Sequence, residues 1–520
     1  MSAGRRSFAA SWKAGDPAVL QLFGQTAHAP SSADLAALPR TPSNILGVLA
    51  AEPANQRPAA QKALQVLADG GVAVVTGQQA GLLLGPLYTF HKALSAVRVA
   101  DALRTSGRPA AAVFWVQDED HDFEEMTDLA WIDGSGELRR RTFEDLAPRV
   151  PVGDREVPDH VRAGVREVLA SLEGTPHFSD AEDLARPWLE EAGWSDAFCG
   201  NLAAAFAEVP ILVLRGREPE VARATQDLYV ATLRDLGGIE AALVAGTRGV
   251  EALGFRPQIP LQPGRTLSFL QDARGAPRHR LVSCGPGLLR TPAGPEGAGE
   301  IAKRFAVAPE CFTTSALLRP LVQDRVLPVA VQLVGPGEAA YLAQLGPLRT
   351  HLGVARTAIA PRGAATWVEP WVRRRLDALE ATASDCAEAP SQWLARTARL
   401  RPDLAPSAIE AQLWAPFSEA LASLSLEDAG VERARQRTLR SVRRNVDRFI
   451  GQAARFRARA DAVRARRYAE VRSRLYPFDQ PQERLLGLTD LVARHGRAAL
   501  VDRFLNAYVP FSPEALELSP

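Results

Sequence analysis

The feature that most constrains this chain is the run of residues 72–122, VAVVTGQQAGLLLGPLYTFHKALSAVRVADALRTSGRPAAAVFWVQDEDHD. Val72 to Val75 is a short β-branched run closed by Gly77, the signature of a strand buried on both faces. Gly77, Gly81 and Gly85 permit positive φ angles or close backbone approach, and Pro86 stops a helix from starting earlier. From Leu87 the spacing turns helical, with Leu87, Phe90, Leu94, Val97 and Ala100 three or four residues apart. Ala110 to Val116 is the next buried strand, and polar groups gather at its C-terminal end, from Gln117 and Asp118 through Glu119, Asp120 and His121 to Asp122. Ligands of open parallel sheets bind beyond the carboxyl ends of the strands, so the TGQQ loop and the acidic run share one edge.

The same rhythm returns later, which predicts an α/β fold with a parallel-sheet core. Ile211–Leu214 is a buried strand followed by a helix from Glu218 to Leu236. Val326–Val334 leads into Gly335-Pro336-Gly337, a helix from Glu338 to Leu345 and the short run Ala358–Pro361. The core is thus expected over 1–128, with a wrapping N-terminal segment, and again over 196–253 and 313–366. Residues 129–195 read as a first insertion that opens with a hairpin around Asp133-Gly134-Ser135-Gly136. Residues 254–312, rich in Pro and Gly with strand-like runs at Leu267–Leu270 and His279–Val282, read as a second. Residues 367–476 are helical: Leu439, Val442, Val446, Phe449, Ala453, Phe456, Ala460 and Val463 form a heptad seam on one long helix from Val431 to Leu475, expected to pair with the stretch 408–424 or with a second subunit. Residues 477–520 form a helical segment that packs back on the body.

A net charge of +1 and a charged fraction of 23% give no global case for nucleic acid or an acidic membrane. Arginines dominate the long helix, but charge blocks on coiled coils usually face water, and no stacking aromatics alternate with them. No apolar run reaches the roughly 18 residues of a membrane span. Four separated cysteines without a CxxC pair suggest neither a zinc site nor a disulfide framework. A cytoplasmic protein is expected.

Only four lysines, Lys13, Lys62, Lys92 and Lys303, stand among 61 basic residues, so Lys92 beside the glycine loop draws notice. It reads either as a site cation or as a solvated helix residue. His91 reads as an oxyanion donor or as a packed histidine. Thr76, Gln78 and Gln79 suit a hydroxylated or carboxylated ligand. Asp118, Asp120 and Asp122 alternate along an extended segment and could converge on Mg²⁺, or a crowded acid could serve as a general base with His121 as proton carrier; a solvated, helix-capping loop is the alternative. Gly335, Pro336, Gly337 and Glu338 repeat the strand–glycine–helix logic of the first turn. GxSxG, GxxxxGK[ST] and GxGxxG are all missing, which weakens hydrolase, P-loop and dehydrogenase readings.

The stretches TGQQAGLLLGPLYTFHKALSA (76–96), VFWVQDEDHDFEE (113–125), GFRPQ (254–258), LLRPLVQDRVLPVAVQLVGPGEAAYLAQL (317–345), APRGAATWVE (360–369) and LYPFDQPQER (475–484) resemble, in order, the BshC family of cysteine ligases of bacillithiol biosynthesis. The resemblance implies a Rossmann-like core with two connecting insertions and a C-terminal coiled coil that forms a homodimer. It also implies the last pathway step, an amide bond between L-cysteine and glucosaminyl malate or a related amino sugar. By motif position, Thr76, Gly77, Gln78, Gln79, Gly85, Pro86, Tyr88, Lys92, Glu119, Asp120, His121 and Asp122 would face the site, with Gly335, Pro336, Glu338 and Tyr341 on the neighbouring loop. Amide formation from a free acid in water is uphill, so ATP, with Mg²⁺ as its usual ion, is the expected activator. In that scheme Lys92 and the glycine loops hold phosphate or carboxylate, and Asp120 or His121 takes the amine proton. Two departures stand out: Thr313-Thr314-Ser315-Ala316 replaces a serine-proline-asparagine run before LLRP, and YPFDQPQER replaces a YPNG-like turn. The competing reading is a non-catalytic coiled-coil adaptor with a vestigial nucleotide-binding core.

Overall fold

The computed structural model describes residues 7–36, 38–399, 412, 414–423 and 429–520. At its centre is a five-stranded, all-parallel sheet of β1 (Val72–Gln79), β2 (Ala110–Gln117), β3 (Ile211–Arg215), β4 (Val329–Val334) and β5 (Ala358–Pro361). The spatial order is β5-β4-β1-β2-β3. Every residue of β4 and β5 is buried, as are the first six of β1 and the first seven of β2, which explains why they read as apolar runs rather than as alternating patterns. From β1 the chain advances to β2 and β3 on one side, whereas β4 and β5 lie on the other. Strand order therefore reverses between β1 and β4, and a crevice opens there at the carboxyl ends.

Helix α1 (Tyr88–Thr105) crosses from β1 to β2 and packs on both. Its face is wider than the sequence period suggested: Thr89, His91, Lys92 and Ser95 are buried along with the apolar positions. The turn before it is tight. Gly85 sits at φ 65°, and a Cβ on Gly81 would lie 2.9 Å from the Gly85 Cα, so this loop folds back on itself through its glycines.

The hairpin of the first insertion pairs Leu129–Ile132 with Leu138–Arg141, and Asp133 Oδ1 accepts the backbone N–H groups of Ser135 and Glu137 in the turn. Region 254–312 is more regular than its composition suggested. Arg265–Leu270, His279–Gly285, Leu288–Thr291 and Gly294–Gly297, joined by Phe312–Thr314, form a five-stranded antiparallel sheet. The expected helix from Glu218 to Leu236 is instead two, Pro219–Ala224 and Gln226–Arg234, and a third, Leu236–Ala252, follows, capped by the Asp235 carboxylate on Gly238 N. The N-terminal segment adds helices Phe8–Lys13 and Pro17–Leu22, whose Trp12, Val19 and Leu20 join the main core.

The chain divides into two compact units, one of residues 1–365, 483–518 and 520, the other of residues 366–482 and 519. In the second, the expected continuous helix is broken. Ala429–Ala460 ends where Asp461 leaves helical geometry, and its carboxylate accepts Arg464 N to start Ala462–Leu475. Helix Pro390–Arg399 packs along Ala429–Ala460. Of the stretch 408–424 expected as its partner, 408–411, 413 and 424 lie outside the described residues, and Ala415–Ala422 is helical. No helix among the described residues is long and apolar enough to cross a membrane.

Candidate active site

A cleft of about 530 Å³ occupies the crevice between β1 and β4. Gln78 and Gln79 reach it from the end of β1, Glu119, Asp120 and His121 from beyond β2, and Gly335, Pro336, Gly337 and Glu338 from beyond β4. The antiparallel sheet closes one wall with Phe269, Arg278 and Arg280.

Lys92 ties the end of β1, where Thr76 to Gln79 belong to the strand rather than to a loop, to the helix after β4. Its ammonium donates to Gly77 O at 2.8 Å, Gln78 Oε1 at 3.0 Å and Glu338 Oε2 at 3.3 Å, which uses all three of its N–H bonds. Burial draws the Lys92 ammonium below its ordinary range, with Glu338 opposing. The Glu338 carboxyl is pushed up by burial, but Lys92 and Arg319 outweigh that and hold it below the usual carboxylate range. Arg319 donates to Glu338 Oε1 at 2.9 Å and to the Tyr341 hydroxyl at 2.5 Å. Arg319 Nη1 is buried without a protein partner, a donor at the cleft wall for a ligand.

The acidic run separates by environment. Asp118 turns away from the cleft and accepts from Ser195 Oγ at 2.9 Å and Arg217 N at 3.0 Å, holding β2 against the chain around it. Asp122 is exposed and does not line the cleft. The three aspartates therefore do not converge, and among the described residues no group of three His, Cys, Asp or Glu side chains is placed to hold a metal ion. Asp120 accepts from Gln79 Nε2 and from Arg278, each at 2.8 Å. Burial raises its pKa, but the Arg278 charge and the hydrogen bonds from Gln79 and from the His121 backbone N–H at 2.7 Å outweigh burial and hold it well below the usual carboxylate range. His121 Nδ1 lies 3.4 Å from Asp120 Oδ1 but faces Arg278 Nε at 2.8 Å, and a nitrogen facing a guanidinium N–H accepts. That geometry assigns the imidazole proton to Nε2. Glu119, 8% exposed, takes a hydrogen bond from the Thr314 hydroxyl, and burial pushes its carboxyl up to about 7 against the pull of that bond.

Other expected residues serve the scaffold. Thr76 donates to Leu333 O at 2.9 Å, bridging β1 to β4. Gly77 has no room for a side chain, since a Cβ would stand 2.6 Å from Trp115 O. Gly85 and Pro86 shape the turn without lining the cleft. Tyr88 and Tyr341 do line it, and Tyr88 OH accepts from Gln78 Nε2 at 3.1 Å. His91 is fully buried, stacked on Phe504 with centroids 5.1 Å apart and bonded through Nδ1 to Glu483 Oε2 at 3.1 Å. It is the packed histidine rather than an oxyanion donor.

Several lining residues carried no site assignment from sequence: Arg278, Arg280, Thr314, Arg319, Arg362 and Arg484. Arg319, Arg362 and Arg484 fall inside the quoted motifs, and that was their only signal. Arg362 is chelated by Glu483 at 2.7 and 2.8 Å and lies over the Tyr88 ring. Six cations thus face three carboxylates, Glu119, Asp120 and Glu338. Low-dielectric walls strengthen such an excess, and the cleft is suited to multiply anionic ligands.

Sheet order, switch-point crevice and lining define a Rossmann-like α/β protein with a cation-lined cleft. A family model described as "Bacillithiol biosynthesis BshC, N-terminal Rossmann-like domain" matches residues 7–363, and the chain belongs to this family. The match includes the N-terminal segment that shares none of the quoted motifs. Relatives named "Putative cysteine ligase BshC" include one from Thermus thermophilus, 32% identical over 82% of this chain and 84% of its own length. Another, from Koribacter versatilis, is 30% identical over 86% and 84%. A third, from Heliobacterium modesticaldum, is 27% identical over 87% and 84%.

Proposed function

We propose that the protein is a cytoplasmic ligase that joins the carboxyl group of L-cysteine to the amine of glucosaminyl malate, the last step of bacillithiol assembly, with ATP activating the carboxylate. The observation that carries this reading is the excess of cations at the β1/β4 crevice in a chain of this family, because the two malate carboxylates and a polyphosphate need cationic partners. ATP supplies a leaving group on the cysteine carboxyl carbon. Attack by the sugar amine forms the C–N bond as that group departs, and the nitrogen gives up a proton.

Glu119 is the group suited to take that proton, since it lines the cleft and titrates near neutrality. Asp120, fixed by Arg278 and Gln79, is too weak a base, and His121 is better placed to donate to a developing oxyanion. Lys92 acts by holding the end of β1 and Glu338 in register, leaving Arg319, Arg362, Arg278 and Arg280 for the anions. Mg²⁺ would enter with the phosphates, which supply most of the oxygen ligands that ion needs. The heptad face of Ala429–Ala460 is read as the contact of a homodimer.

Purified protein given ATP, L-cysteine and glucosaminyl malate is expected to consume ATP and release one thiol product with the mass of the condensed amide. No thiol product and no ATP turnover over a broad range of pH and metal ions would refute the assignment.

A further inference from the structure

Arg280 is a shared wall of the cleft. A second cavity of about 370 Å³ lies behind it, between helix Leu236–Ala252, the segment 259–264 and strand Arg265–Leu270. Arg280, Ser315 and Ala316 line both cavities, so the two spaces meet along these side chains. Their chemistry differs sharply. The first is lined by cations and carboxylates, whereas Ile239, Leu243, Ile259, Leu261, Leu267 and Leu317 dominate the second, with Glu240, Gln262 and Arg265 at its margin. Its size and apolar lining match a small-molecule pocket, which takes roughly 300–1,000 Å³ with a few placed polar groups. One such group sits at the junction: Ser315 is 7% exposed and its hydroxyl is buried with no protein partner. Arg280 is fixed there by a bond to Thr266 O at 3.0 Å and by stacking over Phe269 at 4.2 Å.

A ligand spanning the junction needs a largely apolar body joined to an anionic tail. L-cysteine is too small to span it, and a sugar malate is polar throughout. Among the reactants of the proposed reaction only the nucleotide has that shape, with a flat purine at one end and phosphates at the other. We infer that the annex behind Arg280 is the nucleoside pocket: the purine lies among Ile239, Leu243, Ile259 and Leu261, Ser315 meets the polar edge of the nucleoside, and the phosphates pass Arg280 into the cleft. This placement rests on the ATP reading above. It also gives a role to the alanine of Thr314-Ser315-Ala316, since a larger residue at Ala316 would narrow the passage between the two spaces.

Two measurements on the full-length protein test it. An azido-adenine photoaffinity analogue of ATP, cross-linked to the wild-type chain and mapped by mass spectrometry, is expected to label peptides within residues 236–267. Leu261→Trp, which fills the annex from a half-buried position, is expected to weaken binding of a non-hydrolysable ATP analogue by about tenfold or more, while malate binding changes by less than about twofold. Label confined to other parts of the chain, or equal nucleotide affinity in a folded Leu261→Trp variant, overturns the pocket and leaves the ligase reading standing. A wild-type protein that binds no adenine nucleotide overturns the pocket and the ATP reading together.

Discussion

Lys92 Nζ lies 3.3 Å from Glu338 Oε2, and this ion pair, with the bond from Lys92 to Gly77 O, couples the end of β1 to the first turn of the helix after β4, across the point where the strand order reverses. Lys92 is 5% exposed, and the Glu338 side chain 12%. Removing one partner of a buried pair costs roughly 3–5 kcal/mol because the other charge is stranded. Arg319 remains beside Glu338, so Lys92→Ala is expected to cost less, about 2–3 kcal/mol by the same principle. Urea denaturation measures the loss. Product formation should fall with it even at temperatures where the variant stays folded, because Gln78 and Glu338 lose their common anchor.

Glu119 gives the site a distinctive pH signature. If it accepts the amine proton, kcat/KM rises as pH increases through about 7, and Glu119→Gln removes that limb together with most of the activity. Its effect on stability has the opposite sense. The folded-state value, about 7, lies above the ordinary 4.5, so the folded protein binds the extra proton. The contribution is fully present below about 4.5 and is lost as pH rises through about 7. Thermal melts of Glu119→Gln against wild type should therefore show the variant gaining relative stability over that window. A flat difference between the two would show that Glu119 does not titrate there.

The sheet and the place of its crevice were legible because parallel strands buried on both faces appear as apolar runs and their turns as glycines. The roles within DEDHD were not. Asp120 is a fixed anion and Glu119 a titrating acid because Arg278, 158 residues on from Asp120, faces the first, while Thr314 and low-dielectric walls surround the second. Neither neighbour is near in sequence, and one more arginine in an arginine-rich chain carries no signal of its own. Arg278 and Arg280 were further hidden by a region whose prolines and glycines masked short antiparallel strands. His91 shows the converse: beside Lys92 on the same helix, it turns into the core to meet Phe504 and Glu483.

Glu483 positions a cleft cation without lining the cleft itself. It chelates Arg362 with both oxygens while accepting from His91, and the positive charge of Arg362 leads the effects that hold its carboxyl well below the usual range against burial. Glu483→Gln keeps the shape but removes the charge that fixes the guanidinium. The expected result is a KM for the anionic substrate raised about tenfold, the order of one charge-assisted hydrogen bond, with kcat changed less. A variant that loses kcat at constant KM would place Glu483 in the chemical step instead.

The long helix makes the last prediction. Phe449 and Phe456, seven residues apart, are 67% and 72% exposed, and Leu439, Val442 and Val446 continue the stripe half-buried; Val463, 54% exposed, follows beyond the break at Asp461. Two phenylalanines one heptad apart, in line with the half-buried aliphatic positions before them, form a seam on one helix face that water solvates poorly and that a second helix covers well. The helix is otherwise rich in arginine, so burying this seam brings like charges near one another, and the apolar contact must outweigh their repulsion. Salt screens that repulsion without weakening the apolar contact, so the dimer should tighten as ionic strength rises. Sedimentation velocity is expected to find a dimer at micromolar concentration and a monomer for Phe449→Glu combined with Phe456→Glu, with the sheet unit still folded by circular dichroism. A wild-type protein that sediments as a monomer at every salt concentration would remove the seam from the assembly.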